Sequence, residues 1–323
     1  LLHTYLLSLF ILIFRNEIFA GRFLSVLFGT LTILVTYYLG KELVNKKVGL
    51  FAAVLVTFSI WEIAWSRQAR MYAQFQFFYL LSLLFFYRFI QTKETKTLSL
   101  TVLFTLLAVL SHGLGFTLFL IYLIYLLIYK EYFKLIFAKL LKIRKLYFII
   151  LPLFLFVAYM AVKILLSYDF LWMNYFSSYI YYMKKTSPMF LYLGILGSFL
   201  LLKKNLKSGI LLFLSILIPF LFVSYLIFMI HYRYLFPIIP LLFISTAMTI
   251  DYIALLFKKK IVISLVIIIL LFGVLFNGFV FIPRTEYDLE KATPQPNFEK
   301  AYNYVKQDMD NKTIIDGFPS TAR

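Results

Sequence analysis

NEIFAGRFLSVLFGTLTILVTYYLGKELVNKKVGLFAAVLVTFSIWEIAWSRQARMYAQFQFF (Asn16–Phe78) holds three apolar runs separated by two unlike breaks. The first break, GKELVNKK, carries the lysines Lys41, Lys46 and Lys47; the second, SRQAR, carries Arg67 and Arg70. A helix rises 1.5 Å per residue, so about 20 apolar residues cross the ~30 Å hydrocarbon layer. The stretch therefore reads as three consecutive membrane helices, near 18–40, 48–64 and 71–90. Its two breaks then face opposite sides of the membrane.

The same pattern continues outward. Further apolar segments fall near 97–112, 114–129, 146–166, 188–202, 208–230, 234–257 and 261–282. Residues 1–14 form a shorter apolar helix, expected to lie at the interface or to begin the first span. The chain has 323 residues, 63% of them hydrophobic and 14% charged, whereas about a quarter of the residues of a soluble domain are charged. The expected fold class is an all-α polytopic membrane protein of about ten transmembrane helices. The membrane domain covers 15–282, and SHGLG, with Gly113 and Gly115, joins two spans by a tight turn.

A net charge of +18 suggests nucleic acid at first sight. In a membrane chain the position of the charges matters more, and no nucleic-acid partner is expected. GKELVNKK, RFIQTKETK, KEYFKLIFAKLLKIRK, KKNLK and KKK hold eighteen Lys and Arg between them. The opposite loops before the tail hold eight: Arg15, Arg22, Arg67, Arg70, Lys184, Lys185, Arg233 and Arg284. The positive-inside rule puts the first set in the cytoplasm and the second outside. The absence of cysteine excludes disulfides, thiolate metal sites and cysteine nucleophiles.

From Pro283 the composition changes. Pro283, Pro294 and Pro296 mark a linker; NFEKAYNYVKQ reads as a helix and KTIIDGF as a strand start. Residues 283–323 are expected to begin a soluble, extracytoplasmic α/β domain. No charged leader precedes Leu1, and the chain reads as a piece of a longer protein.

Ionisable residues at a membrane edge are costly and become functional candidates. They cluster on the outer side: Arg22, Glu62, Arg67, Arg70, His112, Asp169 and, in HYRYLFP, His231, Arg233 and Tyr234. Read as one helix, Arg67, Arg70 and Gln74 share a face, and Tyr72 and Gln76 share another. Each residue alone also has a plain reading. Outer arginines snorkel to lipid phosphates, tyrosines form interfacial belts, His112 caps or packs, and Asp169 pairs with Lys163 or Lys184. Convergence favours a site. Several outer loops each supply a cation or an imidazole, and acids are few there, as suits a phosphate or diphosphate held by arginine forks.

The Arg22-x-x-Ser25 helix start, the Leu39–Lys41 exit, SRQARMYA and the later HYRYLFPIIPLL appear in the order and spacing of a known family. The chain resembles GT-C glycosyltransferases of the dolichyl-phosphate-mannose–protein mannosyltransferase and ArnT-like superfamily. The resemblance implies a polyprenyl (dolichyl or undecaprenyl) phosphate-linked sugar donor and an acceptor of unknown kind at the outer face of a cell membrane. It usually also implies a divalent metal. On this reading Arg67, Arg70 and Arg233 bind the donor phosphate. Glu62, His112, Asp169 and His231 are candidates for acceptor or metal contact, and Arg22, Tyr72, Gln74 and Tyr234 line the outer face. The family's catalytic Asp lies in a first outer loop before a Pro-Pro-Leu helix start. LLHTYLLSLF resembles the residues just after it, so the catalytic residue is expected outside this chain, and these residues alone are expected to be inactive. The rival reading is a transporter or flippase for an anionic lipid-linked substrate; no internal repeat is visible to support it.

Overall fold

The computed structural model describes residues 2–142, 174–186, 188–227 and 230–256. All of them belong to the first of two units, Leu1–Pro283; the second, Arg284–Arg323, lies outside the described residues. So do the spans expected at 146–166 and 261–282, Lys163, Asp169 and the whole tail from Pro283.

The described residues form helices and two 3-10 turns, with no strand among them. In chain order the helices are α1 (Leu2–Phe14), α2 (Glu17–Leu43), α3 (Lys46–Thr57), α4 (Ile60–Ser66), α5 (Tyr72–Thr92) and α6 (Thr95–Ser111). Then follow α7 (Thr117–Ile128), α8 (Lys130–Lys142), α9 (Phe176–Thr186), α10 (Pro188–Lys204), α11 (Leu206–Tyr225) and α12 (Ile239–Leu256). The 3-10 turns are Gly113–Phe116, before α7, and Tyr232–Ile238, before α12.

Helix starts follow local chemistry. The side chains of Asn16, Asn45 and Asn205 each accept a hydrogen bond from a backbone N–H of the first turn of α2, α3 and α11. Within the apolar helices, Thr32, Thr36, Thr101, Thr105 and Ser215 donate to the carbonyl four residues back. These five hydroxyls are thereby not stranded in an apolar environment, whereas Tyr125 OH and Ser224 Oγ are buried without a hydrogen-bond partner.

Among the described residues four stretches are long and apolar enough to cross a membrane: α2, α5, α11 and Tyr232–Leu256. A fifth arises if Gly113–Ile128 and Lys130–Ile136, bent by 114°, count as one. Every span expected within the described residues falls on helix, but α3 and α7 have only 12 residues each and α6 and α10 only 17. Twelve residues reach roughly 18 Å, well short of the hydrocarbon thickness. Helix length alone therefore does not yield the expected ten. The run 48–64 also breaks, with α3 ending at Thr57 and Ser59 opening α4.

α2 runs through the middle of one side, packed on α1, α3 and α5; α6 backs α5, and α12 joins α3 to α10. Side chains pack as in a membrane bundle, where close fit rather than water exclusion drives helix association. Gly29 lets the α4–α5 connection settle on α2. A Cβ there would overlap Ser66 Oγ and stand 2.9 Å from Ser66 Cβ. Near Gly21 the same connection comes close again, with Ala69 Cβ 2.7 Å from where a Cβ would be. This seating fixes the arginine-bearing segment at the N-terminal end of α2.

Candidate functional site: a cation cluster without acids

Arg67 to Met71 do not continue a helix. α4 ends at Ser66 and α5 starts at Tyr72, with a turn between them. The shared helical face expected for Arg67, Arg70 and Gln74 therefore does not exist. Five residues of turn aim the three side chains independently. The Arg70 carbonyl accepts from Ser25 Oγ at 3.4 Å, which ties the turn to α2. Arg70 is half-buried, whereas Arg67 and Arg22 are exposed.

The second arm comes from the other end of the sequence. Tyr179 OH pairs with both the N–H and the carbonyl of His231, each at 3.3 Å, and sets where the 3-10 turn begins. The turn carries Arg233 inward. Its Cζ lies 5.9 Å from the ring centroids of both Tyr72 and Tyr234, and its Nε is buried with no hydrogen-bond partner. His231 stands 5.5 Å from the Tyr234 ring. Burial first, then the charges of Arg233 and Arg70, hold its imidazole below the usual histidine pKa. Arg70, His231, Arg233, Tyr72 and Tyr234 are thus brought together from α4–α5 and from the second turn.

His112 joins the cluster as a wall. Its Nδ1 accepts from Leu114 N–H at 3.1 Å, capping the first 3-10 turn. Its ring packs at 5.4, 5.2 and 6.0 Å from Tyr72, Phe75 and Tyr234. Gln74 points elsewhere, pairing with His3 Nδ1 at 3.1 Å and donating to Ser111 Oγ at 2.9 Å.

Among the described residues no carboxylate pairs with Arg67, Arg70 or Arg233. Of the six acids among the described residues, Glu42, Glu94, Glu131 and Asp251 lie at the opposite end of the bundle. There Glu42 binds Arg88, Glu131 binds Lys207, and Asp251 accepts from Asn45. Glu17 is exposed in the first turn of α2. Glu62 is buried, with Oε1 accepting from Gln76 Nε2 at 2.9 Å. Among the described residues no three His, Asp or Glu side chains come together to hold a metal. What converges is cationic, so these residues do not fit a divalent cation and are suited to an anion.

Two features escaped the sequence reading. Gln76 also donates to the Phe236 carbonyl at 2.8 Å, across 160 positions. Ser59 and Glu62, in SIWE, match the Ser-x-x-Glu signature of a helix start. Ser59 Oγ accepts from Glu62 N–H at 3.4 Å, so that pattern could have located the break in 48–64.

The sequence profile of the dolichyl-phosphate-mannose-protein mannosyltransferase family matches residues 1–162, a stretch that includes Arg22, Glu62, Arg67, Arg70, Tyr72 and His112. No curated protein matches the chain. Among solved structures it is similar to ArnT from Cupriavidus metallidurans in the apo state, with a TM-score of 0.51 and 13% identity. That match covers 77% of this chain and 48% of the ArnT chain, and at such identity it speaks for the fold. With half of its length matched by the profile and its helices arranged as in ArnT, the chain is an integral membrane protein that belongs to the dolichyl-phosphate-mannose-protein mannosyltransferase family.

Proposed function

We propose that this chain forms part of a membrane glycosyltransferase that moves a sugar from a polyprenyl phosphate to a protein, lipid or glycan acceptor at the extracytoplasmic face. One observation carries the reading: Arg233 and Arg70, both half-buried, converge beside His231 with no acid among the described residues to neutralise them. A guanidinium partly withdrawn from solvent without a counter-ion is costly, and an anionic ligand removes that cost. The family supplies the class of anion, a phosphate on a lipid carrier.

The chemistry is that of charge shifting to a leaving group. The acceptor hydroxyl loses its proton to a carboxylate, its oxygen bonds to the anomeric carbon, and the bond from that carbon to the phosphate oxygen breaks. Negative charge gathers on the departing phosphate. Arg70 and Arg233 meet it with planar forks, and Arg67, exposed on the same turn, is the outermost cation. Glu62, locked to Gln76, is not placed to act as the base, and no step runs through a metal. The base is none of the acids among the described residues.

Binding of a polyprenyl phosphate to the full-length protein tests this reading. Arg70→Ala and Arg233→Ala should each weaken it by roughly tenfold or more, as for other charge-assisted contacts. Lysine at either position should recover little, because a point charge does not replace the fork. Unchanged affinity in both alanine variants would remove the phosphate site.

A further inference from the structure

Arg233 presents a problem of placement. A half-buried arginine with its Nε enclosed is ordinarily held by a carboxylate; among the described residues no carboxylate pairs with Arg233, and Arg70 carries the same charge beside it. Something uncharged must hold the 3-10 turn in position.

Three short segments each contribute two groups about one turn apart, and these groups meet in two layers. In the layer next to the cations, Trp65 of α4 packs against Tyr72 of α5 at 4.6 Å, and Arg233 lies over the Tyr72 ring. In the layer beneath, Glu62 of α4, Gln76 of α5 and the Phe236 carbonyl meet through the Gln76 amide. Both hydrogens of that NH2 group are used, at 2.9 and 2.8 Å. The opposite amide orientation would turn the Gln76 oxygen onto the Phe236 carbonyl, two acceptors face to face, which favours this one. Phe236 packs its ring 6.0 Å from Trp65, which joins the layers.

The sequence frees the carbonyl that Gln76 takes. In an α-helix the Phe236 carbonyl would accept from residue 240, but Pro240 has no N–H. Ile239 N–H reaches it in the tighter i to i+3 pattern, and one lone pair is left over. In a 3-10 turn residues i and i+3 eclipse, so a bond at Phe236 fixes the height of Arg233 directly above it.

We propose that Gln76, itself held by Glu62, is a positioning residue that sets Arg233 level with Arg70 across the donor phosphate. This rests on the phosphate reading above. Gln76 and Glu62 touch no substrate; they act through the turn.

The test is a double-mutant cycle on the full-length protein, read as affinity for a sugar-free polyprenyl monophosphate, with thermal unfolding followed in parallel. Gln76→Leu should weaken binding roughly tenfold, the order expected for losing a buried hydrogen bond. In the Arg233→Ala background the same change should alter affinity by less than about twofold, because nothing remains to be positioned. Glu62→Gln keeps an acceptor oxygen for the Gln76 amide and should bind within about twofold of the parent. An equal Gln76→Leu loss in both backgrounds would overturn the proposal, as would a Glu62→Gln loss matching that of Gln76→Leu. The two readings fail separately. Unchanged affinity in both Arg70→Ala and Arg233→Ala refutes the phosphate site, whereas an Arg233→Ala loss without any Gln76→Leu loss refutes only the positioning role.

Discussion

His231 is where residue-scale electrostatics makes the sharpest prediction. Burial and the charges of Arg233 and Arg70 depress its pKa, so it is neutral in the free protein near pH 7. Its contribution to stability is whole above the ordinary histidine value and is lost as pH falls from there toward the depressed one. An anion bound between the arginines cancels their field and raises the pKa again, so binding takes up a proton. Affinity for a sugar phosphodiester, which keeps one charge throughout, should rise by up to roughly tenfold as pH drops below about 6.5. His231→Gln should flatten that slope; an unaltered slope would place His231 away from the ligand. The cations themselves were legible in the sequence, because arginine and histidine at the ends of apolar runs are costly there without a function. The partners of Gln76 were not, since a backbone carbonyl 160 positions away carries no residue signature and only Pro240 hints that it is free.

Among the elements, the connection between α4 and α5 matters most, because it carries Arg67 and Arg70 and rests on α2 through Gly21 and Gly29. Gly29→Ala should destabilise the protein by roughly 1–3 kcal/mol, the usual cost of overpacking, in thermal or denaturant unfolding. Ser66→Gly in the same chain should recover part of the loss by removing the atoms that a Cβ would strike. A fully tolerated Gly29→Ala would mean that the connection does not sit on α2. Apolar runs made α2, α3, α5 and α11 readable; the caps at Asn16, Asn45 and Asn205, which start α2, α3 and α11, emerged only from the structure. The charged gap at SRQAR was visible between two apolar runs. Its turn at Arg67–Met71, which denies Arg67, Arg70 and Gln74 a common helical face, was not, because no proline or glycine marks it. It forms where Ser66 and Ala69 must pass over two glycines of a helix 40 positions earlier, a constraint that lies in tertiary packing rather than local sequence.

For the whole molecule, alternating loop charge supports the proposed orientation, with the Glu42–Arg88 and Glu131–Lys207 end inside and Arg67, Arg70 and Arg233, which no acid pairs with among the described residues, outside. The chain has no cysteine, so single cysteines report cleanly. Lys96→Cys and Lys184→Cys, both at exposed positions, should label from opposite sides of sealed vesicles, Lys184→Cys from outside; labelling from one side would reverse or break the topology. The central claim is that the unpaired arginines hold the phosphate of a lipid-linked sugar while that sugar is transferred. The most direct measurement is transfer of radiolabelled sugar from polyprenyl-phosphate donors by the full-length protein and by its Arg70→Ala and Arg233→Ala variants. The account predicts transfer by the parent and a loss of at least about tenfold in each variant. Absence of transfer from every donor, together with movement of the lipid-linked sugar across liposomes, would contradict it and identify a transporter instead.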